Sequence, residues 1–239
     1  MLPTVVAAVV AGCGREEDPP VTSRRHPYGE HPDQYAELTW PSGEPRGVAV
    51  VVHGGFWKPE YGIEFARPLV PSLVEAGWAT WAIEYRRGTG AADTLADVRA
   101  GIDAAPRGPI VVGIGHSAGG HLVTWAAAGG GLTHVVSQAG VLDLRTAHTA
   151  GLGGGAVERF LGHPPGDDDA DVDPIRMLPL GVPVWCVHGR EDDIVPIAQS
   201  RDYAAAGDAT LVEVEGDHFT VVDPDSDAWA ETLAILDRL

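Results

Sequence analysis

Gly47–Val52, Trp78–Ile83, Ile110–Ile114 and Val182–Val187 are continuous apolar runs rich in β-branched residues, with no polar residue on every second position. A strand of that kind buries both faces, which happens when parallel strands lie between layers of helix. His134–Ser137 and Thr210–Val214 read as further strands of the same sheet. Helical segments occupy the gaps. Ile63–Ala76 is interrupted by Pro68 and Pro71 and closed by Gly77, while Ala91–Ala104 carries Leu95, Val98 and Ile102 on one side. His121–Ala128, Ile197–Ala206 and Asp227–Leu239 complete the set. The alternation predicts an α/β class fold, a mostly parallel sheet with helices on both faces, and 239 residues suit one such domain. Residues 145–180 show no period and are rich in Gly, Pro and Asp. They read as a short cap-like insertion over the sheet edge, with one helix near Ala156–Leu161.

Gly115-His116-Ser117-Ala118-Gly119 lies between one of these strands and a helix. In that setting the G-x-S-x-G pattern describes a sharp turn that lifts a hydroxyl above the strand ends, at a helix N-terminus that favours negative charge. The turn brings neighbouring backbone close, so the flanking positions must lack bulk. A serine hydroxyl needs a neighbouring base to become a nucleophile. Of ten histidines, His218 in Gly216-Asp217-His218 follows the last strand and so falls at the same sheet end as Ser117. The carboxylate is expected from the loop after Val182–Val187, where Asp192 is the first choice and Asp193 the alternative. The order Ser, Asp, His is the one this fold requires. His53-Gly54-Gly55-Phe56-Trp57 follows the first buried strand. Its glycines let backbone N–H groups face a reacting carbonyl, so Gly55 and Phe56, with Ala118, are the expected oxyanion-hole donors. His53, Trp57 and His116 are candidate pocket residues.

The net charge of −18, from 34 acidic and 16 basic residues, argues against a nucleic-acid partner. No zinc-type spacing, dinucleotide fingerprint or P-loop occurs, so no metal and no cofactor is expected. The Asp-rich stretch 167–173 lacks the spaced donors of a calcium loop and reads as solvated. Cys186, inside an apolar run, reads as a buried thiol. Residues 1–12 are apolar and small, like a signal-peptide core, and Val10-Ala11-Gly12-Cys13 matches a bacterial lipobox, although no basic residue precedes it. Residues 1–34 are therefore expected to be a signal-like segment and flexible tether ahead of a catalytic domain at 35–239, with Cys13 as the lipidation site. That predicts an exported, membrane-anchored bacterial lipoprotein; a cytoplasmic protein is the alternative.

From about Arg46 onward the chain resembles bacterial α/β-hydrolases of the esterase and kynurenine-formamidase-like type. The resemblance is carried by HGGFW at His53–Trp57, GHSAGG at Gly115–Gly120, HGREDDIVP at His188–Pro196 and GDH at Gly216–His218. In that family the acid stands four residues after the histidine of the HG pair, which is Asp192 here. The resemblance implies a serine hydrolase whose partner is a small-molecule ester or aryl formamide. An exported enzyme would meet little N-formylkynurenine, so a carboxylesterase is the expected activity and an arylformamidase the alternative. A non-catalytic binding protein on the same frame is the reading of another class, disfavoured because no triad member is missing. A propeller-gated peptidase ranks behind both.

Overall fold

The computed structural model describes residues 23–207 and 209–239. The expected signal core, Cys13 and the polar stretch after it lie outside the described residues. Eight strands form one sheet: β1 (Arg24–Pro27), β2 (Tyr35–Thr39), β3 (Val48–Val52), β4 (Ala79–Glu84), β5 (Val111–His116), β6 (His134–Gln138), β7 (Val184–Gly189) and β8 (Ala209–Val214). Their spatial order is β1-β2-β4-β3-β5-β6-β7-β8. Pairing is parallel from β4 through β8, whereas β1 and β2 add antiparallel to the β4 edge.

Every residue of β3 and β4 is buried, as their unbroken apolar runs required. Alternate side chains of β3 go to opposite faces. Val48, Val50 and Val52 join a cluster with Leu95, Val98 and Ile102 of α2 (Ala91–Asp103) and Leu122, Val123 and Ala126 of α3 (Ala118–Ala127). Ala49 and Val51 face Leu73 of α1 (Val70–Glu75) and Trp229, Ile235 and Leu236 of α7 (Asp227–Leu236). The first expected helix survives only as two 3-10 turns and the short α1, because Pro68 and Pro71 each remove a backbone donor. After β6 come α4 (Leu144–Thr149) and α5 (Ala156–Leu161); α6 (Ala198–Ala206) lies between β7 and β8.

Three expectations change. The expected tether up to residue 34 contains β1, so the sheet begins earlier than residue 35. The insertion carries α4 as well as the expected α5, started by Asp143, whose carboxylate accepts from the N–H groups of Arg145 and Thr146. Nor does the insertion cover the sheet edge. Phe160 stacks on Trp57 at 4.4 Å, His121 Nε2 donates to Val172 O at 2.9 Å, and Trp125 Nε1 donates to Asp171 O at 3.0 Å. These contacts seat it on α3 and on the loop after β3, over the middle of the sheet.

Candidate active site

Ser117 closes β5 and opens α3 with φ 55° and ψ −118°, a left-handed conformation that costs a non-glycine residue of the order of 1–3 kcal/mol. What holds it there is crowding. A Cβ on Gly115 would collide with the carbonyl of Gly119, and one on Gly119 would collide with the carbonyl of Val52. Only glycine lets strand β5, helix α3 and the end of β3 approach that closely. Helix α3 thus starts at Ala118 rather than at the expected His121. The turn is further tied by Ser117 N–H to Gln138 O at 2.8 Å.

His218 stands on the loop after β8, and its Nδ1 lies 2.7 Å from Asp192 Oδ2. Asp192 follows β7 and its side chain is fully buried. Loop contact makes this meeting possible: a Cβ on Gly189 would strike the backbone of Gly216 and Asp217. Burial by itself raises the Asp192 carboxyl. Hydrogen bonds from His188 and His218, and the Val195 N–H at 2.8 Å, outweigh burial and hold it well below the usual carboxylate range. His188 was not singled out by sequence. Its Nε2 is 3.1 Å from Asp192 Oδ2 and 2.9 Å from Val195 O, and its Nδ1 is 2.8 Å from Ser200 Oγ. Because Nε2 faces only acceptors, it carries the proton, and Nδ1 accepts from the Ser200 hydroxyl.

Ser117 and His218 both line a cleft of about 190 Å³, with Gly54, Gly55, Phe56, His116 and a set of apolar side chains that includes Tyr61, Phe65, Ile194, Phe219 and Val222. Of the three candidate pocket residues only His116 is in its wall. His116 Nε2 donates to His218 O at 2.8 Å, and burial, reinforced by the neighbouring His218, pushes its imidazole down to about 3, so it stays neutral. His53 is buried behind the wall. Its Nε2 is 3.1 Å from Glu84 Oε1, its Nδ1 is 2.8 Å from Gly54 O, and its ring stacks on Tyr85 at 4.4 Å. Glu84 also accepts from the N–H groups of Ile63 and Tyr85, both at 2.9 Å. Trp57 faces a different cleft, beneath α5. His53 is therefore corrected from pocket to scaffold, and Trp57 from the wall of the Ser117 cleft to the wall of the other one, for a steric reason: the turn after β3 folds both rings back from Ser117.

The same turn carries the expected oxyanion donors. Gly55, Phe56 and Trp57 all have positive φ, at 112°, 52° and 55°. The Gly54 carbonyl is held by His53 Nδ1, and since a trans peptide sets C=O and N–H in opposite directions, the Gly55 N–H points away from His53. The N–H groups of Gly55, Phe56 and Ala118 have no acceptor among the described residues. The Asp-rich stretch is less solvated than expected: Asp169 caps the Gly166 N–H at 2.6 Å, and Asp173, 1 % exposed, accepts from Leu144 N–H at 2.9 Å. Among the described residues no group of His, Cys, Asp and Glu is arranged to hold a metal ion.

A family model described as the prolyl oligopeptidase family matches residues 89–230, a span holding Ser117, Asp192 and His218. The chain belongs to that family. Its fold is the α/β-hydrolase fold, shared with many solved structures. A proposed thioesterase from a Silicibacter species superimposes with a TM-score of 0.77 at 24% identity, covering 90% of this chain and 85% of that one. A truncated carbohydrate esterase from gut microbiota gives 0.77 at 17% identity, with 91% and 95% covered. A thermophilic esterase from the planctomycete Thermogutta terrifontis gives 0.70 at 22% identity, with 90% of each chain covered. No curated protein matches the sequence.

Proposed function

We propose that the chain is a serine hydrolase that cleaves small carboxylic esters through an acyl-enzyme, with Ser117 as nucleophile, His218 as general base and Asp192 orienting it. One observation carries the reading: a strained serine at a helix N-terminus shares a cleft wall with a histidine whose far nitrogen is bonded to a buried carboxylate. The bond to Asp192 keeps a proton on His218 Nδ1 and leaves Nε2 free to take the Ser117 proton as Oγ attacks the ester carbonyl. Negative charge developing on that oxygen would fall to the N–H groups of Ala118, Gly55 and Phe56, each worth roughly 3 kcal/mol to the transition state. His218 then protonates the departing alcohol, and water repeats the sequence on the acyl group.

The size and apolar lining of the cleft support a small uncharged acyl or aryl group at the reacting end. The esterase names of the structural neighbours agree with that. The rings of Phe56, Tyr61, Phe65 and Phe219 around the cleft favour one second reading, hydrolysis of an aryl formamide by the same machinery. The test pairs labelling with turnover. A fluorophosphonate should label the wild type and not Ser117→Ala, and short-chain aryl esters should be cleaved faster than N-formylkynurenine. Labelling that survives Ser117→Ala overturns the assignment; faster formamide cleavage overturns the ester reading. We also propose export and lipid anchoring through Cys13, supported by the Val10–Cys13 pattern. Incorporation of labelled palmitate in a bacterial host should be lost in Cys13→Ala.

A further inference from the structure

On the other side of Phe56 lies a second cleft, of about 340 Å³, lined by Phe56, Trp57, Lys58, Pro59, Gly88, Gly90, Ala156, Arg159 and Phe160. Phe56 is common to its wall and to that of the Ser117 cleft. The second cleft differs from the first in charge. Its two ionisable side chains are Lys58, the chain's single lysine, and Arg159, and no Asp or Glu lines it although the chain has 34 acidic residues. Neither cation has a carboxylate within ion-pair distance among the described residues. Arg159 instead donates to the carbonyls of Gly153 and Gly154 at 2.8 and 2.6 Å, which fixes its guanidinium beside the cleft.

Two further features point the same way. Gly90 is the N-cap of the thirteen-residue α2 and offers no side chain to the N–H groups of the first turn; the one carboxylate of that turn, Asp93, is paired with Arg86 at 3.0 Å and does not line the cleft, so the helix start faces it uncapped. Trp57, 3 % exposed, lines the cleft with its indole N–H buried and without an acceptor among the described residues. A buried donor left without a partner costs about 1–3 kcal/mol, so a small shift of the indole that brings Nε1 to an acceptor in the cleft is favoured. Two cations, an uncapped helix start and an orphaned donor around one cavity make up the electrostatics of an anion site, next to a reaction cleft that has no cationic lining of its own.

We propose that this cleft is a subsite for a carboxylate carried by the substrate, so that the preferred ester has an apolar end beside Tyr61 and Phe219 and an anionic end beyond Phe56. The inference rests on the esterase reading above for the word ester, but not for the anion. Lys58 and Arg159 supply the charge, Trp57 Nε1 a directed hydrogen bond, and the α2 N-terminus further N–H donors.

Two arms separate the subsite from the activity. The first compares kcat/KM for monophenyl succinate with phenyl valerate, and for 4-acetoxybenzoate with its methyl ester, so that the carboxylate is tried on the acyl and the alcohol side. At least one anionic partner should be preferred by about tenfold, as one charge-assisted contact implies. In K58M/R159Q that preference should vanish while turnover of the neutral ester stays within about twofold of wild type. Equal loss on both substrates, or no preference in wild type, overturns the proposal. The second arm titrates Ser117→Ala calorimetrically with 4-acetoxybenzoate and with its methyl ester. The same titration is run with monophenyl succinate and phenyl valerate; tighter binding of the anion in at least one pair, lost when K58M/R159Q is added, supports the subsite even if wild type hydrolyses none of the esters, and equal affinity within both pairs overturns it.

Discussion

Asp192 receives four hydrogen bonds, from His218 Nδ1, His188 Nε2 and the N–H groups of Ile194 and Val195. A carboxyl held below its unfolded value near 3.8 adds stability that is complete above that pH and is lost as pH falls through the lower folded value. Asp192→Asn removes that contribution and turns one acceptor into a donor against an imidazole, which upsets the tautomer of His218. Ester hydrolysis should fall roughly 10³–10⁴-fold in kcat with little change in KM, read by steady-state kinetics. His188→Leu tests the second imidazole. It leaves Asp192 short of one donor and Ser200 Oγ without its partner, so unfolding free energy in urea should drop by about 2 kcal/mol. The candidate positions Ser117 and Asp192 are legible because each follows a strand recognisable by its apolar run, and His218 because it follows the last, more polar strand at the same end of the sheet. His188 was read only as part of a motif. Whether its ring returns to Asp192 depends on how the loop through Val195 folds back, and spacing along the chain does not encode that.

Among the elements, the strand-to-helix turn at Ser117 depends on contacts that tolerate no extra atom. Gly119→Ala would drive a methyl group into the end of β3, so the variant should either fail to fold or lose more than about 3 kcal/mol, as measured by chemical denaturation. The buried parallel strands are legible because short apolar runs with β-branched residues, spaced by helical segments, suit strands buried on both faces. Strands β1 and β2 were not: Arg24–Pro27 is largely exposed and polar, and its strand character comes from the partner it finds. Helix α4 was hidden for a similar reason, since its six residues are set by the Asp143 cap and by Leu144 and Ala147 facing the core. In the same insertion, burial raises the Asp173 carboxyl to about 6 despite the bond from Leu144 N–H. A carboxyl whose folded value is raised favours the fold fully below its unfolded value near 3.8, an advantage lost as pH rises through about 6. Wild type minus Asp173→Asn stability should therefore decline between about pH 4 and pH 6 and level off above, in urea titrations run across that range.

For the molecule as a whole, the antiparallel edge links the chain's first described residues to the turn after β3 that carries Gly55 and Phe56. Strand β1 pairs with β2 over four positions and β2 with β4 over five. Between β1 and β2, the Tyr28 hydroxyl bonds to the carbonyl of Glu84, and Gln34 Nε2 donates to the buried Asp97 at 2.6 Å, where Arg86 also binds. Glu84 in turn holds His53, and His53 holds the Gly54 carbonyl whose orientation aims the Gly55 N–H. A chain starting at Tyr35 loses the outer ladder of β2, the Tyr28 contact and one donor to Asp97, and moves the open sheet edge from β1 to β2. Relative to a chain starting at Ser23, it should lose about 3 kcal/mol, seen as a melting temperature lower by roughly 6–12 °C. Because the loss reaches Glu84, kcat for a neutral ester should fall as well, at temperatures where both chains remain folded. A truncation that lowers the melting temperature and leaves kcat untouched would mean that the Glu84–His53 connection plays no part in holding the turn.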